Sequence, residues 1–470
     1  MHKTNLSMAL LTATLLAACG GSTNRIADQI QPEPQPNPPA NGDPSTKPQF
    51  SSQIIFGDSL ADVGTDAVGA IASAGGGKYT INGDNTSVNA ALTGKIWPEL
   101  IAAQLKLPAP CAAQTGLDGD ANQGYSVAVA NHSGCYGYAQ AGARVTEKVG
   151  QDNKDNGSAL GQLTVPVVTQ VANHLSNAGG KFKGDEVVFV SAGGNDAFVL
   201  LNKLAADAQA AGRSAGEVTF ASTLPAMLAI GATNPATATA AITLALMTEA
   251  MRTGHTDTSV VTAAVTSAAM QDGNSAVADP SVYGPIVSRA QAIATESGNT
   301  AGAKYASDNA AATVSAMSTA GSELATIVTD TIIAKGANFV IVNNLPDLAA
   351  TPGALAQSDD ARKLITAMVT AFNGTLKSGV DSQAKVQYVD LYTLTHDQGA
   401  NPGNYGLTNT TKAACDTNAL NGSALICTGK NLVSGDVSHY MYADDVHPTP
   451  FAHSLLADYI VKQMTSKGWL

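Results

Sequence analysis

Three residues far apart in the sequence carry the side chains of a nucleophile and the pair that activates it. Ser59 lies in the segment Gly57-Asp58-Ser59-Leu60. Asp444 and His447 stand three positions apart near the C-terminus. A tight turn of that length aims the carboxylate at Nδ1 of the imidazole and leaves Nε2 to face a serine. The set predicts covalent catalysis, in which the histidine takes the serine proton and the carboxylate orients the histidine.

Two further residues are candidates for donors to an oxyanion. Gly142 permits a close approach of its backbone N–H, and Asn195 carries a side-chain amide just after an apolar run. With the Ser59 N–H, these groups predict an oxyanion hole. Each signal alone has an ordinary alternative: a serine that caps a helix, a residue in a turn, or an Asp-x-x-His in a surface loop. Their common position at strand ends favours catalysis.

The elements that must position these residues follow from the apolar pattern. Continuous apolar runs typical of buried parallel strands alternate with amphipathic helical patterns. The runs cover residues 53–57, 187–191, 338–342 and 386–391, and helices are predicted at 95–105 and 449–464. This alternation predicts an α/β fold, a three-layer α/β/α sandwich with a parallel sheet of about five strands. The candidate residues then lie at the carboxyl edge of the sheet, where such folds bind ligands.

One region interrupts the alternation. Residues 199–305 contain no convincing strand, only an Ala/Thr/Met-rich helical pattern broken at Pro225, Pro235 and Pro280. We predict a helical insertion there, within a domain of residues 51–470. Two interpretations stay open: the insertion is packing, or residues from about 220 to 254 cover the catalytic serine. The apolar residues of the second interpretation are Leu224, Met227, Leu228, Ile230, Leu244, Leu246, Met247 and Met251.

The N-terminus predicts export and a lipid anchor. A short positive segment and an apolar stretch at residues 6–16 form a signal sequence too short to span a bilayer. Residues 16–19, Leu-Ala-Ala-Cys, resemble a bacterial lipobox, with residues 1–18 as signal peptide and Cys19 as the lipidated first mature residue. An ordinary signal peptide with a chance cysteine is the alternative. Residues 19–50 are proline-rich and predict an extended tether. Gly20, where inner-membrane lipoproteins carry Asp, points by resemblance to the outer membrane, on its periplasmic or its surface face.

The other four cysteines fall into two pairs that are close in sequence. Cys111 pairs with Cys135, and Cys415 with Cys427. In an exported chain an even number of cysteines predicts disulfides. Zinc is the alternative, but the C-x-x-C spacing and a neighbouring histidine pair are both missing, so we expect no metal.

Composition restricts the partners. Of the 470 residues, 44% are hydrophobic and only 13% are charged, which is typical of a globular chain with a large core. The formal net charge is −12, and the chain has no basic run. Both features argue against nucleic acid as a partner. Nothing in the sequence indicates an oligomeric state.

Together these motifs resemble the GDSL (SGNH) hydrolases, a family of serine esterases, lipases and phospholipases. Residues 57–60 resemble the first block of the family, Gly142 stands at the glycine of the second, and residues 193–196 and 444–447 match the third and the last. Further segments resemble the branch of bacterial secreted lipases and lecithinases, at residues 97–100, 344–347, 372–373 and 405–409. Two positions depart from the family: Gly137 stands where the second block usually has Asn, and Thr65 replaces a frequent Asn.

The resemblance implies the same roles as the residue chemistry. Ser59 is the nucleophile, His447 the base and Asp444 its orienting carboxylate. Ser59, Gly142 and Asn195 supply the oxyanion donors, and no metal or organic cofactor is needed. We therefore expect a carboxylic ester hydrolase of lipid metabolism at the cell envelope, held to the membrane by its lipid. Two alternatives are a polysaccharide O-deacetylase with the same site and a non-catalytic surface lipoprotein.

Overall fold

A computed structural model describes residues 47–83 and 89–470. The predicted signal peptide, the lipidated Cys19 and most of the tether lie outside the described residues. The described residues divide into two compact units. Residues 47–83, 89–200 and 312–470 form the first, which we call the sheet unit, and residues 201–311 form the second, the helical unit.

The sheet unit is built on a four-stranded parallel sheet. The strands of the whole unit are β1 (Gln53–Gly57), β2 (Gln114–Asp118), β3 (Ser126–Asn131), β4 (Val187–Ser191), β5 (Phe339–Asn343), β6 (Val386–Val389), β7 (Asn409–Ala413) and β8 (Tyr440–Tyr442). The central sheet has the order β1-β4-β5-β6, with every neighbouring pair parallel. Strands β2 and β3 form an antiparallel hairpin, and β7 pairs with β8.

The predicted α/β class is confirmed, with one difference in the sheet. About five strands were expected, but among the described residues the central sheet has four. Beside β1, Gly137 makes only an isolated parallel bridge to Ile55, so the segment around it does not form a fifth strand. A run that ends in glycines and turns provides too few consecutive backbone pairs for a strand.

The described residues form helices in both units. They are α1 (Gly69–Ser73), α2 (Trp97–Gln104), α3 (Val167–Asn177), α4 (Gly194–Leu228), α5 (Pro235–Ala250), α6 (Asp257–Ala269), α7 (Pro280–Thr326), α8 (Pro352–Leu355), α9 (Asp359–Val380), α10 (Leu391–Ala400) and α11 (Pro450–Ser466), with a π-helical turn at Ile327–Ile333 after α7. No helix among the described residues is both long enough and apolar enough to cross a bilayer.

The alternation of side chains along the strands explains the three layers. Ile55 and Phe189 point to one face of the sheet and pack with Trp97 of α2 and Ile460 of α11. The next residue of β1, Phe56, points to the other face, where its ring lies 5.9 Å from the ring of His174 on α3. Both faces of a parallel sheet are thus covered, as its continuous apolar strands require.

The helical unit has a core of its own. Its parts of α4 and α7 approach so closely that a Cβ on Gly212 would lie 2.7 Å from the carbonyl oxygen of Gly298. Only glycine permits that backbone contact. A cluster at one end is formed by apolar side chains of α4, α5 and α6, with Leu224, Leu228, Ile242 and Leu246 among its buried members.

The structure of this region differs from the expected helix break at Pro225 and divides the residues suggested for a cover. Pro225 does not break the helix, because α4 continues to Leu228, whose side chain is buried in the same cluster. A proline in the last turn removes one hydrogen bond, and packing compensates for it. Of the residues suggested for a cover, Leu224, Leu228 and Leu246 lie in the unit's core. Four others are exposed: Ile230, Leu244, Met247 and Met251. The role of a cover stays a prediction.

The structure joins Cys111 to Cys135 and Cys415 to Cys427, which are the two predicted pairs. Closing loops of this size restricts the unfolded chain and is worth about 2–4 kcal/mol each in the chain-entropy view. The second bridge closes the loop that contains Ala424, and this loop contacts the candidate site.

Candidate active site

Ser59, His447 and Asp444 form a continuous hydrogen-bonded chain. Nε2 of His447 lies 2.9 Å from Oγ of Ser59. Nδ1 of the same ring lies 2.9 Å from each carboxylate oxygen of Asp444. Within this arrangement, Asp444 fixes the tautomer in which Nδ1 carries the proton, so that Nε2 is free to accept one from the serine.

The surroundings of Asp444 keep it ionised. Burial raises the pKa of this carboxyl, but His447 and hydrogen bonds from backbone N–H groups outweigh burial, so the pKa is lowered overall. The N–H groups of Val446 and His447 donate to Oδ1 at 3.0 and 2.8 Å, and the N–H of Ala424 donates to Oδ2 at 2.8 Å. The three-residue turn expected from the sequence thus binds its own carboxylate, and the loop closed by Cys415 and Cys427 adds a third donor.

Gln170, a buried residue of α3, holds the loop of the nucleophile by hydrogen bonds to Gly57. Its Nε2 donates to the carbonyl of Gly57 and its Oε1 accepts the Gly57 N–H, each at 2.8 Å. Burial also raises the pKa of Asp58, next to the serine, to about 7. The backbone that presents Ser59 is therefore fixed at the end of β1 in a poorly hydrated environment.

The backbone donors proposed for the oxyanion are available. Among the described residues, neither the Ser59 N–H nor the Gly142 N–H donates a hydrogen bond. Gly142 has φ +72°, and a Cβ there would lie 2.6 Å from Cγ2 of Thr164, so this position requires glycine. Nδ2 of Asn195 donates to the carbonyl of Ala143 at 3.0 Å, which orients the amide and leaves its second N–H for a ligand.

Two buried aspartates, neither of which the sequence motifs identified as functional, hold the glycine loop. Oδ2 of Asp62 accepts the Ala141 N–H at 3.0 Å, while its Oδ1 binds the nucleophile's own loop through the Thr65 N–H at 2.7 Å. Asp196 accepts the Val145 N–H at 3.1 Å. Each stands next to a motif residue, three positions after Ser59 and one after Asn195, and that closeness was the available signal.

Tyr79, which no sequence motif indicated, is a further neighbour of His447. Its ring centroid lies 4.7 Å from that of His447. Its hydroxyl donates to Asp66 at 3.1 Å and also contacts Gln162. Burial, with the charge of Asp62 close by, raises the pKa of Asp66 to about 8. This buried polar group supports one side of the imidazole.

An open pocket lies beside the serine. Ser59, Asn195 and His447 all line it, whereas Gly142 does not. Most of its wall is apolar, with Leu60, Phe198, Leu345, Leu348, Leu394, Met441, Val446 and Leu456 among the lining residues. A hydroxyl nucleophile at the edge of an apolar pocket can attack a carbonyl whose substituent is a hydrocarbon chain. In the described ranges no group of three or more His, Cys, Asp or Glu side chains is arranged to hold a metal ion.

Part of the chain is similar to known proteins. Residues 299–460 match the family model of the GDSL-like Lipase/Acylhydrolase. The matched segment includes Asp444 and His447 but not Ser59, Gly142 or Asn195.

Among curated proteins, the similar ones come from plants and from a bacterium. A GDSL esterase/lipase of Arabidopsis thaliana is 31% identical over 115 residues, which is 23% of this chain and 29% of the relative. The GDSL esterase/lipase APG of the same plant is 26% identical over 143 residues, 28% of this chain and 40% of the relative. Lipase 1 of Photorhabdus luminescens is 36% identical over 78 residues, 17% of this chain and 12% of the relative. The chain thus spans less than half the length of these relatives.

Proposed function

We propose that this chain, of which residues 299–460 match the GDSL-like Lipase/Acylhydrolase family model, is a serine hydrolase of carboxylic esters. The observation that carries the proposal is the hydrogen-bonded chain from Ser59 through His447 to Asp444. Its position at the carboxyl edge of a parallel sheet, beside an apolar pocket, adds support.

The mechanism follows from these contacts. Oγ of Ser59 attacks the ester carbonyl while Nε2 of His447 takes its proton, and Asp444 stabilises the imidazolium. The carbonyl oxygen gains negative charge and is bound by the N–H groups of Ser59 and Gly142 and the Asn195 amide. His447 then passes its proton to the departing alcohol, which leaves an acyl group on Ser59. Water, deprotonated by the same histidine, releases the acid and restores the serine.

The pocket favours an ester with a hydrocarbon chain. Apolar side chains from several elements line it, and an acyl chain of medium length would remove that surface from water. The alternative substrate, an O-acetylated polysaccharide, would leave most of the wall uncovered. A surface lipoprotein without catalysis would have no need of the ordered chain from serine to carboxylate.

A fluorophosphonate test addresses the activity directly. We expect the folded protein to gain the mass of one phosphonate adduct, located on the peptide that contains Ser59, because His447 activates that hydroxyl. A panel of nitrophenyl esters from acetate to long acyl chains should show higher kcat/KM for medium chains than for acetate. An unmodified protein, or a preference for acetate alone, would contradict the proposed nucleophile or the proposed substrate class, respectively.

We further propose that the protein is a lipoprotein of the bacterial outer membrane. Support comes from the lipobox-like residues 16–19 and from the proline-rich segment that follows them. Several acyl chains on one cysteine anchor a protein stably, whereas one chain binds only marginally. The full-length chain, expressed in a bacterium fed radiolabelled palmitate, should incorporate label and fractionate with the outer membrane. Cys19→Ser should abolish the label. A full-length wild-type chain without label would refute the anchor.

A further inference from the structure

The pocket beside Ser59 follows the carboxyl edge of the central sheet. It is lined by residues that lie within four positions of the ends of all four strands: Ser59, Asn195, Asn344 and Leu391. Because neighbouring strands lie about 4.8 Å apart, the sheet edge from β1 to β6 measures roughly 14 Å. The pocket therefore offers an extended site, with the nucleophile at the β1 end and helix α10 at the other.

Several polar side chains of the far part are already satisfied by the protein. Oδ1 of Asn344 accepts the Leu391 N–H at 2.6 Å. Oγ1 of Thr395 donates to the carbonyl of Leu391 at 2.8 Å, and Oγ1 of Thr351 donates to that of Leu348 at 2.9 Å. These groups fix the wall and do not call for a ligand.

Gln398 on α10 is different. Its side chain lines the pocket and the residue is only 3% exposed. Among the described residues its amide has no hydrogen-bond partner. The hydroxyl of Tyr442, which lines the same pocket and is also buried, has none there either. Burial raises the pKa of Tyr442 well above its usual range, so the hydroxyl stays protonated and able to donate. Among the described residues, neither side chain has a polar atom that is both sealed from the surroundings and without a partner, so the polar ends of both remain reachable from the pocket.

We propose that Gln398, assisted by Tyr442, binds a hydroxyl or carbonyl group carried by the substrate at a distance from the scissile ester. The preferred substrate is then a long apolar ester with one internal polar group rather than a plain hydrocarbon chain. This inference rests on the proposed function, since it assigns the far end of the same pocket.

The polar group can belong to the acyl half or to the alcohol half of the ester. Two sets of substrates distinguish these two possibilities. In the first set, nitrophenyl esters of decanoate are compared with esters that carry one hydroxyl near the carboxyl, at the middle or at the end of the chain. In the second set, the decanoyl ester of ethanol is compared with that of glycerol. A polar group in the acyl half changes rates in the first set, and one in the alcohol half changes rates in the second.

We expect the wild-type protein to favour at least one polar substrate over its plain counterpart by about 10-fold or more in kcat/KM. Gln398→Leu should remove that preference, because the apolar side chain cannot pair with the polar group. Tyr442→Phe, which keeps the ring and its packing, should reduce the preference. Gln463→Leu is the matched control, since Gln463 lies on α11 outside the pocket, and it should keep the wild-type ratio.

Two failures can be told apart. If the wild-type protein hydrolyses none of the esters, the proposed function is wrong and this inference loses its basis. If it hydrolyses them with no preference for a polar substrate, or if Gln398→Leu and Tyr442→Phe both keep the preference, the ester hydrolase stands and the polar subsite is refuted.

Discussion

Ser59→Ala is expected to lower kcat for a nitrophenyl ester by roughly 10⁴- to 10⁶-fold, as loss of the nucleophile does in other serine hydrolases. In the proposed mechanism, the Ser59 hydroxyl, which lies 2.9 Å from His447, forms the acyl intermediate. Without it, only binding and the oxyanion donors remain to accelerate attack by water. The measurement is steady-state hydrolysis together with intact mass after fluorophosphonate treatment, where the variant should remain unmodified.

Ser73→Ala is a suitable control for this substitution. Ser73 is exposed on α1, and its hydroxyl donates only to the carbonyl of Gly69 in its own helix. Its variant should keep the wild-type rate and should take up one phosphonate. A folded Ser59→Ala protein that hydrolyses the ester at the wild-type rate would show that the nucleophile lies elsewhere.

Asp444→Asn is expected to lower kcat by roughly 10⁴-fold with little change in fold. The carboxylate only accepts hydrogen bonds, and it therefore holds the proton of His447 on Nδ1. An asparagine amide can instead donate to Nδ1, which moves the proton to Nε2 and removes the base that Ser59 needs. Because the pKa of Asp444 is lowered, the wild-type carboxylate remains charged through the neutral pH range.

The neighbouring Asp445→Asn variant provides the comparison. Asp445 is exposed, and its side chain makes no hydrogen bond to any described residue. The same change of charge there should leave kcat close to wild type. Equal losses in the two variants would mean that Asp444 acts through the general field of the loop and not through the tautomer of His447. Circular dichroism and thermal unfolding should confirm that both proteins are folded.

Local patterns in the sequence were sufficient for several features of the fold. The apolar runs predicted each strand of the central sheet to within a few residues, because a strand buried on both faces must be continuously apolar. The final helix was expected from residue 449 and begins at Pro450, with Thr449 as its cap. The contact of Asp444 with His447 could also be predicted from the sequence, because the two residues share one tight turn.

Other features depended on residues that meet only in the folded chain. Ser59 and His447 are 388 positions apart, so the sequence could propose their contact by resemblance but not derive it. The distance in sequence between Gln170 and Gly57 does not predict the two hydrogen bonds between them. Likewise, no local pattern around Tyr79 predicts that its ring lies beside the imidazole of His447. The helix break expected at Pro225 was wrong, because helix propensity depends on local sequence whereas the packing of Leu228 depends on distant residues.

Local sequence was therefore enough to predict the alternation of strands and helices, the types of the candidate catalytic side chains and the turn that pairs Asp444 with His447. These properties depend on neighbours within a few positions, and their periodicity is visible in one dimension. Which buried polar groups have hydrogen-bond partners depends instead on how the chain folds. Gln398 and Asp62 both carry buried polar side chains. The carboxylate of Asp62 accepts hydrogen bonds from backbone N–H groups, whereas the amide of Gln398 faces a pocket. That difference depends on distances across the sheet edge, which no spacing along the chain records.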